Sequence, residues 1–246
     1  MRAFTVAFRA IVSFYNELFL LISASLLWWI TGGIFAGLAL LLGWVALSVA
    51  ARENLPFLDS SNPFWLLPLL AIPAGPASAA LANVARPAAR DLHADRSMFW
   101  AGFRLYWKQA LALAAIGMGV LALLVLNLFF YLSRTNPFFQ AFSLFWAYLI
   151  MFWLGVCLLM FPVLVGLKEP GVMATLKTCV GIVFTNPLFS LLLVIIACAL
   201  TILSVILPFL LVLAWPAVII LLGEHKLKLV VERVRGPEEG SGPPRD

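Results

Sequence analysis

The chain reads as long apolar runs separated by short polar connections. Uncharged stretches at 18–50, 111–132 and 187–223 far exceed the roughly 18 residues that suggest a membrane span. Bracketed by their polar flanks, six spans emerge, at about 18–50, 64–85, 110–132, 138–167, 187–206 and 208–222. The first would form a helix of roughly 50 Å against a hydrocarbon core of about 30 Å. Gly32-Gly33 is the place for it to kink. One long helix projecting outward fits better than two crossings, which would put the basic loop that follows on the outer side. The last span is short and carries Pro216, so a bent or partly re-entrant segment is expected.

Basic residues orient these spans. The longest connection holds Arg86, Arg90, Arg96, Arg104 and Lys108 against Asp91 and Asp95. Arg2 and Arg9 precede the first span, Lys168 and Lys177 follow the fourth, and the tail carries Lys226, Lys228, Arg233 and Arg235. The other side offers Arg52 with Glu53 and Asp59, then Arg134, then a bare turn at Leu207-Pro208. Six crossings with both termini cytoplasmic satisfy this distribution. Three amphipathic stretches precede the odd-numbered spans: Phe4, Phe8, Ile11 and Tyr15; Trp100, Phe103 and Trp107; and Val172, Leu176 and Val183, with Lys177 off that stripe. Each predicts a helix in the inner headgroup layer. Three parallel copies of a helix-plus-hairpin unit would give this pattern. So would unrelated inner-surface connections that each select an amphipathic helix.

Composition strengthens the membrane reading. Apolar residues make up 64% of the chain, charged ones 11%, and the mean hydropathy is +1.06, where a soluble domain is about half apolar and a quarter charged. The formal charge of +5 is explained by cytoplasmic loop bias and is no nucleic-acid signal. Cys157, Cys179 and Cys198 lack paired spacing and read as small buried hydrophobes. No cleaved leader is expected, because the apolar run after Arg9 is too long for one. The expected fold class is all-α: a polytopic membrane helical bundle of about six spans with interfacial amphipathic helices. Residues 1–223 form a single transmembrane domain, and 224–246 a cytoplasmic amphipathic segment with a disordered tail from Gly236.

The most distinctive segment is Phe99-Trp100-x-x-Phe103-Arg104-x-x-Trp107-Lys108-Gln109. With Pro73-Ala74-Gly75-Pro76-Ala77-Ser78-Ala79-Ala80, Asn16 and Trp28-Trp29, it resembles the YesL family of bacterial integral membrane proteins, whose function is unknown. The resemblance covers roughly 16–132 and departs from the pattern at about 43–63, where the first hairpin is longer. It implies a bacterial cell (inner) membrane location and a link to sugar utilisation, with no established activity.

Catalysis needs groups that titrate, coordinate or attack, held together. His93 and His225 read as surface loop residues, no metal spacing surrounds either, and Gly117-x-Gly119 reads as helix packing. No catalytic, metal or cofactor site is expected. No carboxylate, lysine or histidine falls near a midplane; Glu17 is at an edge, with Glu169 and Glu224 at the inner surface. That weakens ion-coupled transport. The candidate binding or hinge element is Pro73, Gly75 and Pro76, with Ser78 and Asn83 on the same stretch, because two prolines within a span remove donors and free carbonyls. Arg96, Trp100, Arg104, Trp107 and Lys108 form a candidate contact surface for anionic lipid or a partner.

The partners expected are the lipid bilayer and other membrane proteins of a transport system, with no nucleic acid. The leading expectation is a non-enzymatic accessory or regulatory subunit beside such a system, in carbohydrate uptake if the resemblance holds. The alternative is an autonomous transporter or channel for a neutral or apolar solute. A lipid-directed enzyme has only Asp91, His93 and Asp95 behind it.

Overall fold

The computed structural model describes residues 2–53, 69–90, 92 and 94–235, and among them the structure is helical with no strand. The elements are α1 (Arg2–Asn16), α2 (Leu18–Trp28), a π-helical turn (Trp29–Gly33), α3 (Ile34–Glu53), α4 (Ala74–Ala88), α5 (Ser97–Leu132), α6 (Pro137–Gly166), α7 (Val172–Thr185), α8 (Pro187–Ile206), α9 (Pro208–Leu213) and α10 (Trp215–Arg235). Three of them, α5, α6 and α8, are long and apolar enough to cross a membrane.

The axis of the assembly is α4, AGPASAALANVARPA. Its side chains from Ala74 to Leu81 are all buried, as are Ala82, Val84, Ala85 and Ala88. A helix apolar on every side belongs inside, and α4 touches α2, the π turn, α3, α5, α6 and α10. Its small side chains let neighbouring backbones close in. A Cβ on Gly75 would lie 2.6 Å from the Ala114 Cβ and 2.7 Å from the Ala110 carbonyl oxygen on α5. Further along the same pair, a Cβ on Gly102 would stand 2.7 Å from the Asn83 Cβ, and one on Gly32 would stand 2.6 Å from the Pro73 oxygen. Such contacts hold helices together where apolar side chains gain little by leaving apolar lipid.

Residues 18–53 are continuously helical, and the expected kink at Gly32-Gly33 is a π turn, with Gly33 against the Trp28 ring. Between α6 and α10, Pro162 has no N–H for the Leu158 carbonyl. Gly223 of α10 comes so close there that its Cβ would sit 2.6 Å from that oxygen. The α6 start follows its sequence directly: the Asn136 side chain caps Phe138 N–H and Pro137 sits in the first turn.

Several expectations change. The aromatic stretch 97–109 is no separate interfacial helix: it runs without a break into 110–132 as the 36-residue α5, about 54 Å long. The α7 face that is buried runs through Thr175, Cys179, Ile182 and Val183; Val172 and Leu176 are only half-buried. In α1, Val6 and Ala10 point inward and Phe8 and Tyr15 outward. The run 208–222 is broken at Ala214 into α9 and α10, and α10 passes through the expected domain boundary at 223/224 as one helix. The first part of the second predicted span, 64–68, and the tail 236–246 lie outside the described residues, as do Asp59, Asp91 and His93.

This packing has a testable consequence. Gly75→Ala is expected to cost about 1–3 kcal/mol through overpacking against α5. Gly119→Ala, with nothing within 4 Å of its Cβ, is expected to be neutral or to gain up to ~1 kcal/mol. Thermal unfolding of both variants in one detergent checks this. Equal midpoints would contradict the central placement of α4.

Candidate functional site

Beside α4, near the middle of the three long helices, lies a cavity of about 310 Å³. α4 supplies Gly75 and Ser78, α5 supplies Ala114 and Met118, and α6 runs Leu154, Cys157, Leu158 and Phe161 along it. α8 adds Val194, Ala197, Cys198 and Thr201, while Trp28 and Trp215 stand at its edge. Small residues (Ala74, Gly75, Ser78, Ala114, Ala197 and Cys198) form one part of the lining, and larger ones on α5, α6 and α10 close the rest.

The few polar atoms here are engaged with one another. The Trp28 indole N–H donates to Ser78 Oγ at 2.9 Å, and that hydroxyl donates to the Ala74 carbonyl. Trp215 Nε1 donates to Thr201 Oγ1 at 2.9 Å, and Thr201 donates to the Ala197 carbonyl. Each hydroxyl both gives and receives, and both indole donors are used. A sugar or other polyhydroxyl guest would find few groups to replace its water, at a cost of about 1–3 kcal/mol for each hydrogen bond left unmade. A hydrocarbon guest loses nothing.

The candidate residues fall in different places. Gly75 and Ser78 line the cavity, but the Gly75 Cβ direction points at the α5 backbone, so a bulky side chain there would test packing before it tested flux. Pro73 is the N-cap of α4, and Pro76 stands in its first turn, where amide hydrogens have no intrahelical partner to lose. The carbonyls expected to be free are taken: Leu69 accepts from Ile72 N–H and Ile72 from Gly75 N–H. Pro73–Pro76 thus stand where a short helical turn at 69–71 gives way to α4, with the backbone hydrogen-bonded through the junction. Asn83 lies away from the cavity, donating from Nδ2 to the Met98 carbonyl at 2.8 Å and so holding α4 to the first turn of α5. Arg96, Trp100, Arg104, Trp107 and Lys108 are all exposed along the first turns of α5. The face turned inward there is Phe99, Gly102 and Tyr106.

A second cluster went unread in the sequence. Glu224, His225 and Lys226, expected at the surface, are 2%, 5% and 1% exposed. Lys226 Nζ donates to Ser190 Oγ at 2.7 Å, tying α10 to α8. Arg86 reaches the last carbonyl of α6 at Gly166 (3.5 Å) and Lys228 the Ala89 carbonyl at the end of α4 (3.4 Å), each a cation at the negative end of a helix dipole. Arg86 Nη1 and Glu224 Oε1 are buried with no hydrogen-bond partner among the described residues. These groups follow the apolar run of α10, which is not among the three long apolar helices. Burial pushes the Glu224 carboxyl up from 4.5 to about 8, against the opposing pull of Arg86 and Arg90. Burial likewise lowers Lys226 from 10.5 to about 8. The available signal was periodic: Ala217, Leu221 and Glu224 recur at helical spacing.

Among the described residues, no group of three or more His, Cys, Asp or Glu could hold a metal ion. What the two regions offer is an apolar space near the middle of the long helices and a charged clasp at one end.

The clasp has a pH signature. Between pH 4.5 and about 8 the folded state holds the Glu224 proton that the unfolded chain releases, so stability falls as pH rises through that window. Lys226 acts only above about 8 and with the opposite sign. The unfolding midpoint is therefore expected to drop from pH 5 to 8, and Glu224→Gln to flatten that slope. An unchanged slope in Glu224→Gln would contradict the buried placement.

In comparisons with protein-family models, curated proteins and solved structures, nothing matches this chain.

Proposed function

We propose that this chain is a non-catalytic, multi-pass membrane protein that binds an apolar molecule in the cavity beside α4, as part of carrying or sensing it. The observation behind this reading is the chemistry of that cavity. It has a volume at the lower end of the 300–1,000 Å³ typical of ligand sites, its lining is apolar, and its hydroxyls and indoles are satisfied by one another. Six crossings with both termini cytoplasmic are the arrangement that the basic loops favour, and the YesL resemblance implies a bacterial inner membrane.

A second reading has its own observation. α6 and α8 carry no Asp, Glu, Lys, Arg or His, and α5 carries only Arg104 and Lys108 near its start. A coupling group for a proton or sodium ion within these helices is therefore lacking. That favours an accessory or regulatory subunit working beside a transport system, and the YesL resemblance would place that system in carbohydrate uptake. The two readings combine in a subunit whose apolar site is regulatory.

Ala197→Phe is expected to fill the cavity, since Ala197 lines it from α8. Native mass spectrometry of protein taken from membranes into mild detergent is expected to find an apolar molecule retained by the wild type and lost in the variant. Retention by neither, or equally by both, would overturn the binding reading. A stoichiometric membrane-protein partner in the same preparation would support the accessory reading, and its absence would count against it.

A further inference from the structure

The cavity has a mouth, and its position says where the guest comes from. Cys198 lines the cavity and is also exposed on the outer face of α8. Its neighbours on that outer surface, Ile195, Ile202 and Leu203, are exposed and apolar. α8 carries no charged residue along its 20 positions. Cys198 stands eleven residues from the first residue of α8 and eight from the last, about 16 and 12 Å along the axis. That is the middle of a helix whose length matches a hydrocarbon core of about 30 Å. An opening at this depth gives onto lipid tails and not onto water or the headgroup layer.

Next to α8 stands α6, which presents Leu154, Cys157 and Leu158 to the same space. It too carries no charged side chain. A guest passing between α6 and α8 would meet hydrocarbon on both sides.

We infer that the occupant is one hydrocarbon chain of a bilayer lipid, entering sideways between α6 and α8 past Cys198 while its headgroup stays outside the bundle. This rests on the apolar-binding reading above and adds the ligand class and the route. The small volume accommodates a length of acyl chain and excludes a whole lipid. The satisfied hydroxyls leave no donor for a phosphate or a sugar. Trp28 and Trp215, with ring centroids 5.9 Å apart, present apolar ring surface at one side of the space, since both indole N–H groups are already bonded. A chain of the right length would end against them.

The test uses the full chain in nanodiscs of phosphatidylethanolamine and phosphatidylglycerol. These are doped with a phosphatidylglycerol carrying a diazirine at the end of one acyl chain, and photoadducts are mapped by mass spectrometry. The expected adducts fall on Met118, Cys157, Leu158 and Trp215, and are lost in Cys198→Trp and in Leu154→Trp, which narrow the mouth from either wall. Adducts on the outward Ile202 are expected to persist in both variants, which also reports that they are folded and embedded. Adducts confined to outward residues in the wild type, or cavity adducts unchanged in both variants, would overturn lateral entry.

A diazirine fatty acid added from water separates the two sources. Cavity labelling by the fatty acid but not by the lipid would overturn the lipid assignment while leaving the apolar site standing. Labelling of the cavity by neither probe would remove the apolar-binding reading as well.

Discussion

Everything in this structure depends on how closely other helices can approach α4. In a membrane, helices gain little hydrophobic free energy by meeting, because lipid tails are as apolar as leucine. Association then depends on van der Waals contact at short range, and alanine and glycine provide it. The contacts at Gly75, Gly102 and Gly32 are close approaches that any larger residue would hold apart. They fix α5, and the end of the π turn, against one largely buried helix.

The cavity follows from the same choice of residues. Small side chains permit close approach on the α5 side of α4. On the side facing α6 and α8 they leave a gap, because Ser78, Ala114 and Ala197 do not fill it. The surrounding helices are also shaped by local backbone features: the π turn at Trp29–Gly33, Pro162 within α6, and the break between α9 and α10. At the other end, Arg86, Lys226 and Lys228 reach α6, α8 and the α4 terminus. An apolar centre with a polar clasp at one end lets the bundle be held together at that end without placing charge at mid-depth.

Much of the architecture was legible in the sequence because it is written in long-range averages. Runs of apolar residues gave α5, α6 and α8, and Gly32-Gly33 marked the irregular turn. What was not legible depended on which side of a helix meets which neighbour. The prolines at 73 and 76 suggested free carbonyls within a span; they stand between a helical turn at 69–71 and α4, where proline costs little and the nearby carbonyls are bonded. Gly75 and Ser78 were singled out for backbone irregularity and line the cavity for a different reason, their small size. Glu224 and Lys226 looked exposed because they follow the apolar run, but the buried stripe of α10 continues past it. Charge marks the end of an apolar run more reliably than it marks the end of burial. Cys157 and Cys198 are more than eighty positions from Gly75, and no local pattern joins them to it.

The central claim is that small residues around α4 leave a hydrocarbon-sized space in the middle of the bundle. The most direct measurement is a cryo-electron microscopy map of the protein in a lipid nanodisc, with a rigid antibody fragment bound for alignment. The account predicts elongated density beside Ser78, between α6 and α8, reaching toward Trp28 and Trp215. Side chains of α6 and α8 closed directly onto α4, with no space between them, would contradict it.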